Sequence, residues 1–321
     1  MANTFHPMSN HIALQKWQPF LETYSRRELR AKTDLLKALC DKDSASEIDC
    51  FIDRVLSHPP LSRRENFQID YRTIAESTRS AWAKEQVKIA PKVDVPQMRD
   101  EYNLVDVDIE DKFIRPESFL YHCGLHFIPN AVGLLNGRAI IDGGAYRGES
   151  AAVLRKNYPG SRVHAFEPDA TNFKILKQVS EKAQFLGGIV PVNQGLSSGS
   201  FAVTAKGDGH GTRLTRNDNA GGGLRVTSID DYVESENISL GFIKLDIEGL
   251  EFDVIKGAAG TLTRDRPAFA VAIYHTPQDF LEIAPFVERL GLDYTLMVRH
   301  LHPQLTSFFG EFMLIGYPAN R

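Results

Sequence analysis

What this chain lacks removes several functions at once. It holds three cysteines, Cys40, Cys50 and Cys123, in 321 residues. The odd count and the lack of metal-ligand spacing argue against a disulfide framework. The three read as buried thiols in a reducing compartment. No apolar run approaches the roughly 18 residues that would cross a bilayer. Met1 to Asn10 has no basic stretch followed by an apolar one, so a cytoplasmic protein without a membrane span is expected. An excess of one charge is missing too: 37 Lys and Arg stand against 41 Asp and Glu, a formal net charge of -4. That balance gives no global pull toward nucleic acid or anionic membrane. No basic stripe interleaved with aromatics marks a nucleic-acid surface, and pairs such as Arg26-Arg27 and Arg63-Arg64 read as solvated helix faces. Internal repeats are absent.

What is present centres on Ala139 to Glu149, Ala-Ile-Ile-Asp-Gly-Gly-Ala-Tyr-Arg-Gly-Glu. A short apolar run stops at Asp142, and glycines follow at Gly143, Gly144 and Gly148. A helical pattern then begins near Ser150 and carries Ala151, Ala152, Val153 and Leu154. A buried strand, a glycine turn and a helix start make a phosphate, nucleotide or nucleoside site, since glycine lets the backbone approach a ligand closely. An ordinary strand-to-helix turn is the plainer alternative. The register Asp142-x-Gly144-x-x-x-Gly148 is not the dinucleotide fingerprint Gly-x-Gly-x-x-Gly. An acid ahead of the loop suits a ligand with no pyrophosphate but with a cationic, amino-acid-like end, as S-adenosylmethionine has. The next apolar run ends at Phe166, before Glu167-Pro168. An acid there can accept hydrogen bonds from ribose hydroxyls, which NAD also carries.

Asp142-Gly-Gly-Ala-Tyr-Arg-Gly148, Ala165-Phe-Glu-Pro-Asp169, Thr227-Ser-Ile-Asp-Asp-Tyr232 and Lys244-Leu-Asp-Ile-Glu-Gly-Leu-Glu251 occur in that order. Together they resemble the FkbM family of S-adenosylmethionine-dependent methyltransferases. Ile273-Tyr-His-Thr-Pro-Gln-Asp279 and Val298-Arg-His300 resemble its bacterial branch. The resemblance runs from Phe113 to Tyr317 and rests most on the Lys-x-Asp-x-Glu-Gly-x-Glu block. It departs at Tyr146, where many relatives carry Asn. It implies an α/β fold of the class I methyltransferase, Rossmann-like type, S-adenosylmethionine as cofactor, and transfer to oxygen on a small-molecule or saccharide acceptor. It also implies that Phe113 to Pro129 packs beside the cofactor site; His122 and His126 there read as structural.

Along the chain, residues 1–95 read as an N-terminal helical region and 96–321 as the cofactor-binding domain. Leu14, Trp17, Phe20, Leu21 and Tyr24 recur at helical spacing, and Leu29, Leu35, Leu36 and Leu39 suggest a second helix. Ser44-x-x-Glu47 reads as the capping box of a third, and Ser62-x-x-Glu65 starts a fourth, running through Ile69, Ile74 and Trp82. These apolar stripes predict helix packing, with a homo-oligomer or partner surface as the sharper alternative. Pro91 and Pro96 place a linker at Ala90 to Asp100, and Tyr102 to Ile109 alternates as a strand or extended arm does.

From Ala139 onward the pattern alternates. Strands are expected at Ala139–Ile141, Val163–Phe166, Gly188–Val192, Phe242–Leu245, Ala268–Ile273, Tyr294–Val298 and Phe312–Gly316. Helices are expected at Ser150–Asn157, Ala170–Ala183, Leu250–Lys256 and Pro277–Leu290. This predicts a mostly parallel sheet covered by helices, with an antiparallel edge hairpin because no helix joins the last two strands. Lys206 to Gly223, with six glycines, reads as a loop, either a plain connection or a lid closed by His210, Thr212 or Arg213.

Ligands of open parallel sheets bind beyond the carboxyl ends of the strands, where Asp142, Glu167, Gln194, Asp246 and His275 are all expected. Gly144 and Gly148, with Tyr146 in the same loop, are assigned to the cofactor's amino-acid end, Asp142 to that end directly or through water, Glu167 to the ribose and Gln194 to the adenine edge. His275 is the first candidate for the base that deprotonates a hydroxyl, because its ordinary pKa lies near neutrality. Asp246 is the second, and Glu248 would orient either one or cap the turn before Gly249. Asp246, Glu248 and His275 also suffice chemically for a divalent metal, though nothing in their spacing demands one, and no metal is assigned. His300 and His302 beside Arg299 read as hairpin groups or as contacts to an anionic or sugar substrate. A non-catalytic nucleoside-binding scaffold that binds a partner is the competing class, and a NAD-dependent oxidoreductase the third.

Overall fold

The computed structural model describes residues 16–17, 19–22, 24–57, 94–109, 114–182, 185, 187–206, 213–216, 224–301 and 309–319. The helix expected from Ser62 to Trp82 and the side chains of His210, Thr212, Arg213 and His302 lie outside that description. The strands are β1 Ala139–Gly143, β2 Val163–Phe166, β3 Ile189–Val192, β4 Gly195–Leu196, β5 Phe201–Lys206, β6 Arg213–Arg216, β7 Leu224–Thr227, β8 Leu240–Leu245, β9 Ala268–Ala272, β10 Tyr294–His300 and β11 Phe312–Pro318. The helices are α1 Arg26–Leu39, α2 Ser44–Ser57, α3 Val95–Glu101, α4 Pro116–Tyr121, α5 Ala131–Leu135, α6 Glu149–Asn157, α7 Ala170–Ser180, α8 Ile229–Glu236, α9 Glu251–Lys256, α10 Ala259–Asp265 and α11 Pro277–Arg289. Among the described residues no helix is long and apolar enough to cross a membrane.

Seven strands form one sheet in the order β10-β11-β9-β8-β1-β2-β3. β3, β2, β1, β8 and β9 run parallel, and β11 runs antiparallel to both β9 and β10. The expected mostly parallel sheet with an antiparallel edge hairpin is therefore present. Its central strands β1 and β8 are buried along their whole length. That is why they read as unbroken apolar runs rather than alternating ones.

The N-terminal helices turn their apolar stripes inward onto the hairpin edge. Phe51 stacks on Phe280 at 4.5 Å and meets Phe312 edge-on at 4.9 Å. Trp17, wholly buried, meets Phe51 and Phe280 edge-on. β10 would otherwise present a free edge. Cys40 bridges to Leu296, the Asp41 amide donates to the Leu296 carbonyl at 2.9 Å, and the Val298 amide donates to Ser44 Oγ at 2.8 Å.

Several local expectations are corrected. Ser44 does not cap its helix, because its hydroxyl serves β10 and donates to Asp41. The reciprocal capping box is Ser25 with Glu28, at the start of α1. The linker prolines open a helix instead: Asp94 accepts from the Gln97 amide at 3.1 Å and Pro96 sits in the first turn of α3, where its missing N–H costs nothing. Tyr102 to Ile109 is not a strand. Its carbonyls are taken up by the Arg99 guanidinium, which donates to Leu104 at 3.1 Å, to Val107 at 3.0 Å and to Ile109, so the segment winds into turns. A second sheet, β4-β7-β5-β6, was not foreseen. Its strand β6 lies inside the glycine-rich stretch read as loop, pairing with β5 from Val203↔Arg216 to Lys206↔Arg213. Flanking glycines hide so short a strand. Helices α8 and α10 were also not foreseen.

Candidate active site

The carboxyl edge of the large sheet carries a cavity of about 340 Å³, within the range of small-molecule sites. It collects residues in strand order: Gln194 after β3, Glu167 after β2, Gly144 after β1, Asp246 after β8, and Glu311 ahead of β11. At about 4.8 Å per strand, the five steps from β3 to β11 span about 24 Å. One trough thus has a near end at Gln194 and Glu167 and a separate far end at Glu311. Tyr146 and Glu248 also line it.

At the near end the glycine loop is pinned from below. Lys244 on β8 donates to the carbonyls of Gly143 at 3.2 Å and Gly144 at 2.9 Å, and its Nζ lies 3.0 Å from Asp142 Oδ1. Ser150 Oγ donates to the other Asp142 oxygen at 2.7 Å. Asp142 is fully enclosed within β1 and does not line the cavity. The structure gives it a different post from the one expected: it fixes the lysine that fixes the loop, and it does not face the trough. Gly144 sits at φ 73°, and a Cβ there would fall 2.0 Å from the Asp246 carbonyl oxygen, so only glycine permits this approach. Gly148, at φ 98°, is the N-cap of α6 and faces Leu176 and Val179; its role is helix packing.

Tyr146 adopts φ 48°. A bulky residue is rare in that left-handed region, where Asn is enriched. Glu167, 6% exposed, accepts the Asp169 amide at 2.8 Å. Burial pushes its carboxyl up to about 7, against the pull of the Asp169 and Tyr146 backbone amides. Such a group at the cavity wall accepts hydrogen bonds from hydroxyls.

Asp246 stands next along the edge. Tyr274 Oη donates to its Oδ1 at 3.3 Å, and His275 Nε2 lies 3.5 Å from Asp246 Oδ1 and 3.5 Å from Glu248 Oε2. His275 is 1% exposed and does not line the cavity. Its Nδ1 contacts Glu251 Oε1 at 2.8 Å. Burial alone would lower its pKa, but the adjoining Glu251 carboxylate, with Glu248 and Asp246 beyond, raises it to about 10. The imidazole is then a cation near neutral pH, so the expectation that His275 is a free base is corrected.

Glu251, wholly buried, is the staple of this turn. Its oxygens accept the Ile247 and Gly249 amides, each at 2.8 Å, as well as the histidine. It thereby holds Glu248 at φ 62° and Gly249 at φ 97°, two consecutive left-handed residues. Asp246, Glu251 and His275 bring potential ligand atoms within 4.8 Å of one another. Glu251's oxygens are already committed to these donors, so the trio fits an internal ion-pair network better than a metal's donor set.

The segment Phe113 to Pro129 is expected beside the site, and Arg115 and Glu117 of it line the trough, but the sequence does not single out the residues of the far wall. Arg115, Glu117 and Glu149 line the trough with Glu311, and Arg115 Nη1 pairs with Glu311 Oε1 at 3.0 Å. Nothing in their spacing links residues so distant in sequence. Lys244 and Glu251 did carry a signal, as charged residues inside or beside a buried apolar run. His122 and His300 do not line the trough: His122 Nδ1 contacts Tyr158 Oη at 3.2 Å, and His300 stacks on Phe312 at 4.2 Å.

Residues 142–294, which hold the loop, Glu167, Asp246, Glu251 and His275, match the methyltransferase FkbM domain. Hexuronic acid methyltransferase AglP of Haloferax volcanii is 30% identical over 105 residues, 32% of this chain and 43% of that protein. Methyltransferase FkbM from Methylobacillus flagellatus KT, a crystal structure, is 24% identical with a TM-score of 0.48, covering 78% of this chain and 64% of that one. The O-methyltransferase TomG from Streptomyces achromogenes, crystallised in complex with SAM, is 12% identical with a TM-score of 0.40, covering 75% of this chain and 98% of that one. This chain thus spans less than two thirds of the length of the first two relatives. It carries a domain of the FkbM methyltransferase family over residues 142–294.

Proposed function

We propose that this protein is an S-adenosylmethionine-dependent O-methyltransferase acting on a hydroxyl of a small molecule or saccharide. The observation that carries the reading is one trough in which Gly144, Glu167 and Gln194 lie on the β1 to β3 side and Asp246 lies one strand away. The cradle fits the cofactor: the space a Cβ at Gly144 would fill suits its amino-acid end, and Glu167 suits its ribose. The bound cofactor supplies an electrophilic methyl group on a sulfonium. The chain holds and aligns: the Lys244-pinned loop and Glu167 fix one reactant, and the far wall fixes the other. Such positioning is worth about 7–11 kcal/mol. Asp246 takes the hydroxyl proton, a role worth about 10²–10⁴-fold. Tyr274 and the His275 cation orient its carboxylate, and Glu251 orients His275.

Incubation with methyl-labelled S-adenosylmethionine and a panel of hydroxylated saccharides tests this. The expected product is an alkali-stable methyl ether. Cofactor binding with no transfer to any acceptor would favour the scaffold reading instead.

A further inference from the structure

Glu117 is a buried acid that the proposed chemistry does not use. It lies in the second position of α4, is 4% exposed and lines the trough. Neither of its carboxylate oxygens hydrogen-bonds another residue among those described. A buried polar group left in this state is costly, more so if charged, so the site is built for something that satisfies it. Among the described residues the one cation beside it is Arg115, which is paired with Glu311 at 3.0 Å. Asp246 faces the same space. Glu117 thus shares this space with two further carboxylates, Glu311 and Asp246, and its neighbouring guanidinium is already engaged. The strand order puts Glu311, the partner of Arg115, beyond Asp246, on the side away from Glu167 and Gln194.

We propose that the far end of the trough selects an acceptor bearing a protonated amine, such as an amino sugar, and that Glu117 receives that ammonium while Asp246 faces the hydroxyl to be methylated. The assignment rests on the methyl-transfer reading for the role of Asp246. Within it, the substrate class narrows from any hydroxylated saccharide to a cationic one. A carboxylate-bearing acceptor would meet three carboxylates and one guanidinium already engaged. Burial and Glu311 push the Glu117 carboxyl well above the usual range, so an arriving ammonium displaces a proton from it.

The test is calorimetric titration with glucosamine, N-acetylglucosamine and glucuronate, with and without saturating S-adenosylhomocysteine. Binding of S-adenosylhomocysteine is measured separately, so loss of the donor site and loss of amine selection read out apart. Glucosamine should bind at least tenfold tighter than N-acetylglucosamine, about 1.4 kcal/mol, with glucuronate weakest. Glucosamine binding near pH 6 should release protons, seen as heat that changes between buffers of different ionisation enthalpy. In Glu117→Gln the preference should vanish while S-adenosylhomocysteine affinity is kept. Equal affinity for the two sugars, including no binding by either, would overturn the proposal, as would tightest binding of glucuronate. Should the variant bind S-adenosylhomocysteine tenfold more weakly, Glu117 belongs to the donor's own ammonium and the proposal is likewise overturned. If the variant does not fold, proton release by the wild-type protein decides, and zero release refutes it.

Discussion

Replacing Glu251 by Gln keeps the shape of the staple and removes its charge. In the wild type one oxygen accepts both the Ile247 amide and His275 Nδ1, and the other accepts the Gly249 amide, all at 2.8 Å. A glutamine oxygen can keep the first two, but its NH₂ then faces the Gly249 N–H, donor against donor. His275 loses its nearest counter-charge inside a fully buried site. Removing one partner of a buried pair costs about 3–5 kcal/mol. The rise of His275 from 6.5 to about 10 corresponds to a similar figure, about 5 kcal/mol. The sign follows from the direction of the shift: a histidine raised on folding gives stability that is complete below pH 6.5 and is lost as pH rises through about 10. Urea unfolding from pH 6 to pH 10 should show the wild type losing stability across that window, and Glu251→Gln starting lower with a flatter profile. The His275 ring resonances should titrate near 10 in the wild type and much lower in the variant. A cost below about 1 kcal/mol, or a wild-type His275 titrating near 6.5, would refute the staple and the cation together.

Three further outcomes follow from the same geometry. Glu167→Ala should weaken S-adenosylmethionine binding by about 1.5–3 kcal/mol, the worth of hydrogen bonds to a charged group; unchanged affinity by calorimetry would remove the ribose assignment. Asp246→Asn should lower kcat by about 10²–10⁴-fold while cofactor affinity stays within about threefold, and normal turnover would eliminate Asp246 as the base. Gly144→Ala places a methyl group 2.0 Å from the Asp246 carbonyl at a positive φ. Thermal unfolding should register at least the 1–3 kcal/mol of backbone strain expected at such a site, roughly, together with loss of cofactor binding; a stable, binding-competent variant would contradict the cradle.

The parallel core was legible because Ile140, Ile141, Phe242 and Ile243 are buried on both faces and announce themselves as apolar runs. The near end of the site was legible because glycine and acid follow those runs directly. The far wall was not: Arg115 meets Glu311 across 196 residues of sequence, a long-range event with no local signature. His275 was read at its ordinary pKa, since the three carboxylates that surround it come from a turn 24 to 29 residues earlier in the chain. Ser44-x-x-Glu47 shows the converse fault. Its local pattern fits a cap, but tertiary structure spends that hydroxyl on β10, and Asp41 supplies the oxygen that the Ser44 amide needs.

The central claim is that the Gly144 loop and Glu167 form a methyl-donor site. Calorimetric titration of the protein with S-adenosylmethionine and, separately, NAD tests it most directly. Selective binding of S-adenosylmethionine in the micromolar range, about -8 kcal/mol, lost in Glu167→Ala, is the predicted result. Binding of NAD in its place, or of neither ligand, would contradict the account.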